Sequence, residues 1–97
     1  MVIKWNKLAV KQLLEAIEYL EENDLLEYAQ KIEQEILLKI RLLSQSSDIY
    51  QSDRFKKNND GSFRAFEVDR YRISFRKLEK EIRILRIRHT GRRPFTR

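Results

Sequence analysis

Residues 62–93 read SFRAFEVDRYRISFRKLEKEIRILRIRHTGRR, and they indicate three short antiparallel strands that end in a basic tail. Because successive side chains of a strand point to opposite faces of its sheet, alternation of residue types predicts what each face carries. The middle strand predicts one apolar face and one face of guanidinium groups. Its two sets of side chains are Tyr71, Ile73 and Phe75 against Arg72, Ser74 and Arg76.

The turns and the apolar phase define the other strands of this unit. Phe63–Val68 and Tyr71–Lys77 are separated by the dipeptide Asp69-Arg70, which is the length of a tight hairpin turn. The last strand, Ile82–His89, changes its apolar phase midway. We therefore expect either a bulge near Leu85 or a strand that is buried on both faces.

The first residues predict a strand followed by a helix. Met1–Trp5 is a short apolar-rich run that indicates an edge strand, and Asn6 is placed to cap a helix through its side chain. This helix is expected to end near Glu22, because the Asn23-Asp24 pair that follows is a turn signal. Its apolar stripe comprises Leu8, Ala9, Leu13, Ala16, Ile17 and Leu20.

A second helix follows at once. Asp24, with Glu27 three residues later, forms a capping pattern. Packing of this helix against the first explains its apolar stripe better than binding to a partner or a membrane surface, because this half of the chain is net acidic. The fold class is therefore α+β, an N-terminal strand and an antiparallel helical hairpin packed on a three- to four-stranded antiparallel sheet. The stripe comprises Leu25, Ala29, Ile32, Ile36, Ile40 and Leu43.

The segment between the helices and the sheet, Ser44–Gly61, has no sustained apolar period and predicts a loop. Its apolar residues Ile49, Tyr50 and Phe55 are expected to pin it to the body of the domain. Lys56 and Lys57 extend the basic surface.

Composition limits the classes of function. The 97 residues are expected to form a single domain, residues 1–97, because a second core could not bury enough apolar surface. No apolar run reaches the length of a membrane span and no secretory signal is recognisable, which predicts a cytoplasmic location. The absence of cysteine and the single histidine exclude disulfides, thiolate metal sites and histidine metal clusters. No motif indicates a nucleotide or another cofactor.

The net charge of +6 is concentrated in the second half of the chain. Residues 45–97 carry fifteen basic and seven acidic side chains, whereas residues 6–44 carry five and eight. Such a surface indicates a polyanion or an acidic peptide as the binding partner. The alternative is that the arginines only solvate a small sheet.

The run from Asn58 to Pro94 contains the turn Asn-Asp-Gly, then Arg-Ala-Phe-Glu-Val, Tyr-Arg-Ile-Ser-Phe and Ile-Arg-Ile-Leu-Arg-Ile-Arg-His-Thr-Gly-Arg-Arg-Pro. Together with the order of elements, this run resembles the RelE/ParE superfamily of bacterial toxins, often described as plasmid stabilisation proteins. The resemblance implies the toxin of a type II toxin–antitoxin module, which inhibits growth and is neutralised by a cognate antitoxin. An antitoxin segment that folds on binding, with apolar anchors and acidic side chains, would suit this surface.

One branch of the superfamily, the RelE type, cleaves messenger RNA in the ribosomal A site with basic side chains in place of a metal. On that branch the resemblance implies transition-state arginines at Arg72 and Arg93, with Arg64 near the position of catalytic lysines. Asp53 lies roughly where some members carry an acid, and His89 lies one residue before the position of a terminal histidine. The paired lysines are absent, and the sequence ends before the position expected for a catalytic tyrosine.

Metal-independent RNA cleavage needs a base for the 2′-OH proton and cations around the phosphate. Arginine supplies the cations but stays protonated near neutral pH, which leaves Asp53, Glu67 and His89 as candidate bases. Two of the candidates also have a structural interpretation. His89 is placed to hydrogen-bond the tail at the end of its strand, and Arg72 is placed to pair with Glu67 or Asp69 across the hairpin.

The incomplete catalytic set favours the ParE type, whose members poison DNA gyrase. The resemblance thus implies a toxin that inhibits its target, gyrase, by binding, with a ribosome-dependent mRNA endoribonuclease as the alternative. A third hypothesis, a general nucleic-acid-binding module, lacks exposed aromatic side chains on the strands, because Tyr71 and Phe75 are predicted to lie in the core. The binding side chains on the basic surface and tail are Arg76, Arg86, Arg88, Arg92, Lys56 and Lys57.

Overall fold

The computed structural model describes residues 1–46, 50, 52, 53 and 55–91. These residues form the α+β architecture that the sequence predicts, with a helical hairpin on one face of a sheet. In chain order the elements are β1 (Val2–Trp5), α1 (Lys7–Glu22), α2 (Leu26–Ser46), β2 (Phe63–Val68), β3 (Tyr71–Lys77) and β4 (Glu81–His89).

The four strands form one sheet in the order β1-β4-β3-β2. The three C-terminal strands are antiparallel to one another, as predicted, and β1 lies at the edge. However, β1 pairs with β4 in parallel, with Ile3 opposite Ile82, so the sheet is mixed. Parallel strands cannot be joined by a short turn and need a long connection. Here the connection from β1 to β4 includes the helical hairpin.

Of the two alternatives predicted for the last strand, the structure shows the bulge in β4. Ser74 pairs with Arg86 and Phe75 with Ile84, so Leu85 is an extra residue that has no partner in the ladder. After one extra residue, the odd- and even-numbered side chains exchange the faces of the sheet to which they point. The bulge therefore keeps Ile87 in the core after Ile84, and it directs the arginines of the second half of β4 to the open face of the sheet.

The core lies between the helical hairpin and the sheet, and both predicted helical stripes contribute to it. Leu8 and Leu25 are the exceptions, each 45% exposed at the start of its stripe. Burial of Tyr71, Ile73 and Phe75 confirms the predicted apolar face of β3. The helical core residues are Ala9, Leu13, Ala16, Leu20, Ala29, Ile32, Ile36, Ile40 and Leu43.

The helix boundaries correct the two predicted caps. Asn6 occupies the N-cap position of α1, but its side chain makes no capping hydrogen bond. Asp24 does not cap α2, which begins at Leu26; it adopts a φ of 60° in the turn that ends α1. There the Leu25 amide donates to the Leu20 carbonyl, in the pattern of a Schellman motif.

The loop after α2 differs in part from the prediction. The helix continues to Ser46, and Tyr50 packs against Phe66 with 4.9 Å between ring centroids. Phe55 does not pin the loop to the core, because it is 68% exposed. Ile49 lies outside the described residues. Within the described part of the chain, no helix has the length and apolarity to cross a membrane.

Candidate functional site

The face of the sheet opposite the helices is lined largely by basic side chains. The pairing of Arg72 with Arg88, and of Arg76 with Arg83, places arginines side by side on β3 and β4. Only two acidic side chains, Glu67 and Glu81, lie on the same face of the strands. We call this surface the basic face; its basic strand residues are Lys4, Arg72, Arg76, Arg83, Arg86 and Arg88.

Arg72 is held between two carboxylates on this face. Its Nη2 lies 2.8 Å from Oδ1 of Asp53, and its Nη1 lies 3.6 Å from Oε2 of Glu67. The predicted pair with Glu67 is therefore present, and the pair with Asp69 is replaced by the contact with Asp53. Both Arg72 and Asp53 have largely buried side chains, so this ion pair is shielded from water more than a surface pair would be.

The loop around Asp53 is tied to the edge of the sheet. The backbone N–H of Asp53 donates to the Phe63 carbonyl at 2.7 Å, and the Asn59 side chain donates to the carbonyls of Asp53 and Phe63. These bonds fix the loop residue beside β2 and so bring its carboxylate to Arg72. The sequence places the two groups nineteen residues apart and gives no periodic signal for this contact.

The pKa of Asp53 is lowered from its ordinary value of 3.8. Partial burial alone would raise the pKa, but hydrogen bonds from the Arg72 side chain and the Phe55 amide, with the charges of Arg72 and Arg88, outweigh it. A carboxylate stabilised in its charged form is a poor proton acceptor. Asp53 is therefore better suited to holding Arg72 than to acting as a general base.

Two phenylalanines beside the arginines carry stacked cations. Lys56 Nζ and the Arg76 guanidinium each lie 4.6 Å from the centroid of the Phe63 ring, and the Arg72 guanidinium lies 4.9 Å from that of Phe55. Such distances are typical of cation–π contacts. Sequence reasoning missed these stacks, although the alternation of β2 puts Phe63 on the same face as Arg76.

Arg86 and Arg88 differ from the other arginines of the basic face. Both are exposed, and within the residues that the structure describes neither forms an ion pair. By contrast, Arg83 pairs with Glu81 at 2.8 Å, and Arg76 Nη2 lies 3.9 Å from Asp60. The guanidiniums most available to an incoming anion are thus those in the second half of β4.

The structure separates two of the predicted catalytic candidates from Arg72. Arg64 pairs with Phe75 and so belongs to the helix side of the sheet, where its Nε donates to the Gly61 carbonyl at 3.1 Å. His89 is opposite Tyr71 on that same side, with 5.1 Å between ring centroids.

His89 also has the predicted structural role at the end of β4. Its Nδ1 accepts a 3.0 Å hydrogen bond from the Gly91 amide. Lys57 is exposed on the loop, and the remaining candidates, Arg92 and Arg93, lie outside the described residues. Among the residues described, no group of three His, Cys, Asp or Glu side chains is arranged to hold a metal ion.

Comparison with known proteins finds similarity both to a protein family and to solved structures. Residues 3–94 match the family model described as "ParE toxin of type II toxin-antitoxin system, parDE". Among solved structures, the chain is similar to one from the chromosomal ParDE toxin–antitoxin system of P. aeruginosa, with a TM-score of 0.76 over 94% of this chain and 97% of that chain. The two sequences are 24% identical, so this likeness concerns the fold. A search of the curated proteins found no match.

Proposed function

Because this chain belongs to the ParE toxin family of type II toxin–antitoxin systems, we propose that it arrests bacterial growth by binding DNA gyrase and that a cognate antitoxin neutralises it. The ion pair between Asp53 and Arg72 is the main reason to favour a binding toxin over a nuclease. Both candidate targets are cytoplasmic, and we place the action of this toxin there.

The basic face has many cationic side chains but lacks a well-placed general base among its described residues. Of the three candidate bases, Asp53 and Glu67 are both paired with Arg72, and His89 lies on the other side of the sheet. A nuclease that works without a metal needs an acceptor for the 2′-OH proton next to the phosphate-binding cations. This separation favours inhibition by binding.

The helical hairpin provides a second surface with a different character. Eight large apolar side chains along α1 and α2 are 41–60% exposed, which is what an amphipathic partner segment uses as anchoring points. Membership of the family implies an antitoxin partner. We assign the antitoxin's apolar anchors to this surface and the target to the basic face. The eight residues are Leu8, Val10, Leu14, Tyr19, Leu26, Leu37, Leu38 and Leu42.

Expression in a bacterial host without antitoxin tests the proposal. We expect growth arrest together with induction of a DNA-damage reporter, and rescue of growth when the cognate antitoxin is co-expressed. As a matched pair, Arg86→Ala/Arg88→Ala should reduce toxicity, whereas Lys7→Ala/Lys11→Ala, which removes the same charge from exposed positions on α1, should not. Growth arrest with undamaged DNA and truncated transcripts would contradict the proposal.

The alternative function is a ribosome-dependent mRNA endoribonuclease. It is supported by the position of Arg72 beside Arg88, where two guanidiniums would flank one phosphate. On this alternative, replacing Arg72 and Arg93 with alanine should abolish A-site cleavage in a purified translation system. Messenger RNA that stays intact with the wild-type protein would exclude it.

A further inference from the structure

The basic face combines unpaired guanidiniums with very little exposed apolar surface. Besides its charged residues, the strands contribute only five side chains to this face, Val2, Phe63, Ala65, Ser74 and Leu85. Of these, only Val2 is among the exposed large hydrophobic residues, and it lies on the edge strand. A protein segment that folds on binding needs apolar pockets for its anchoring side chains, and this face does not provide a row of them.

A phosphodiester backbone has different requirements. Its affinity comes from cations that replace condensed counterions, and it needs no apolar anchor. Arg86 and Arg88 meet this requirement, because they are exposed and form no ion pair within the described chain. They are two residues apart on β4, so both guanidiniums project from the same face.

One exposed aromatic side chain on this face, Phe55, favours single-stranded nucleic acid over a duplex. Phe55 is 68% exposed and lies against the guanidinium of Arg72. Arg72 is directly opposite Arg88 on the neighbouring strand. Proteins that bind single-stranded nucleic acids place exposed aromatic rings next to basic side chains, because each unpaired base can stack on such a ring. The described elements bordering this face are strands and a loop, so it offers no helix to enter a groove of duplex DNA.

We propose that the basic face binds single-stranded DNA, with phosphates on Arg86 and Arg88 and a base stacked at Phe55. Asp53 then acts as an internal competitor, since its carboxylate occupies Arg72 at 2.8 Å and withholds that guanidinium from a phosphate. The choice of DNA over RNA rests on the proposed function, in which the target is a DNA enzyme. The binding surface itself is defined by Arg86, Arg88 and Phe55, whatever the target.

Fluorescence anisotropy with the full chain and a labelled oligothymidylate tests the proposal. The logarithm of the binding constant should fall linearly with the logarithm of salt concentration, and each phosphate contact contributes a slope of about −0.7. Arg86→Ala/Arg88→Ala should therefore make the slope shallower by about 1.4, and Asp53→Asn should make it steeper by about 0.7. Phe55→Ala should weaken binding about tenfold or more without changing the slope.

The control is Lys7→Ala/Lys11→Ala, which removes two charges from α1, and circular dichroism of each variant confirms that it folds. The proposal is overturned if the arginine variant keeps the wild-type slope, or if a duplex, an oligouridylate or polyglutamate binds more tightly than oligothymidylate. Gyrase inhibition by the wild-type protein separates the two proposals. Gyrase inhibition without oligonucleotide binding by the wild-type protein refutes only this inference, whereas oligonucleotide binding without gyrase inhibition upholds it and refutes the gyrase target.

Discussion

The hydroxyl of Tyr28, near the start of α2, donates a hydrogen bond to the carboxylate of Asp69 in the turn between β2 and β3. This contact links the helical hairpin to the end of the sheet across forty-one residues of sequence. The hydrogen bond to Asp69, with partial burial and the charge of that carboxylate, raises the pKa of Tyr28 to about 12 from its ordinary value of 10.0. The folded protein thus holds this proton more tightly than the unfolded chain does.

Removing the hydroxyl should destabilise the fold modestly. Tyr28→Phe keeps the ring packed on the core but leaves Asp69 without this donor, and we expect a loss of about 1 kcal/mol in the free energy of unfolding. Urea titration followed by circular dichroism measures it. Asp69→Asn is the matched control, since asparagine still accepts the hydrogen bond and tolerates the φ of 56° at this position. Equal stability of Tyr28→Phe and wild type would show that the contact contributes nothing.

The same contact predicts a dependence of stability on alkaline pH. Because the folded pKa of Tyr28 lies above the unfolded value, its contribution is fully present below about pH 10 and is lost as the pH rises toward about 12. The difference in unfolding free energy between wild type and Tyr28→Phe should therefore shrink across this window. A difference that stays constant through it would contradict the assignment.

Much of the fold follows from the sequence because alternation and helical spacing are local signals. The alternation of Tyr71, Ile73 and Phe75 predicts which face of β3 is buried, and the phase change in the last strand predicts a bulge near Leu85 as one of two alternatives. The parallel pairing of β1 is not a local property. It depends on the path of the chain through the helical hairpin, and the residue types of β1 do not indicate that path.

The bulge gives a prediction about a deletion. Removing Leu85 should leave a regular β4 in which Arg86 still faces outward and Ile87 still faces the core, so the protein should fold with a loss of about 1–2 kcal/mol. Removing Ser74 from β3, the strand without an extra residue, should instead turn Phe75 to the open face, and part of the core face would be lost. Thermal unfolding of the two deletions compares them. Equal damage from both would contradict the assigned bulge.

The ion pair of Asp53 with Arg72 predicts a dependence of stability on acid pH. The pKa of Asp53 is depressed in the folded state, so its contribution is present above the ordinary value of 3.8 and is lost as the pH falls below it. At neutral pH, Asp53→Asn should be less stable than wild type by about 1 kcal/mol, and the difference should vanish in acid. Urea titrations across this range test the prediction, and a variant as stable as wild type at neutral pH would refute it.

The functional face was harder to predict than the fold. The outward arginines of β3 and β4 follow from alternation once the bulge is placed, and so does their separation from His89, which shares the parity of Ile87. The position of Asp53 does not follow, because it depends on loop hydrogen bonds such as those of Asn59. Such contacts join residues without a periodic spacing.

A supercoiling assay with purified bacterial DNA gyrase tests the proposed target most directly. We expect the purified protein to inhibit supercoiling in proportion to its concentration and the cognate antitoxin to restore activity. The variant Arg86→Ala/Arg88→Ala should inhibit less than Lys7→Ala/Lys11→Ala. Full supercoiling activity at a large molar excess of folded protein, with cleavage of messenger RNA on translating ribosomes by the same preparation, would contradict the proposed target.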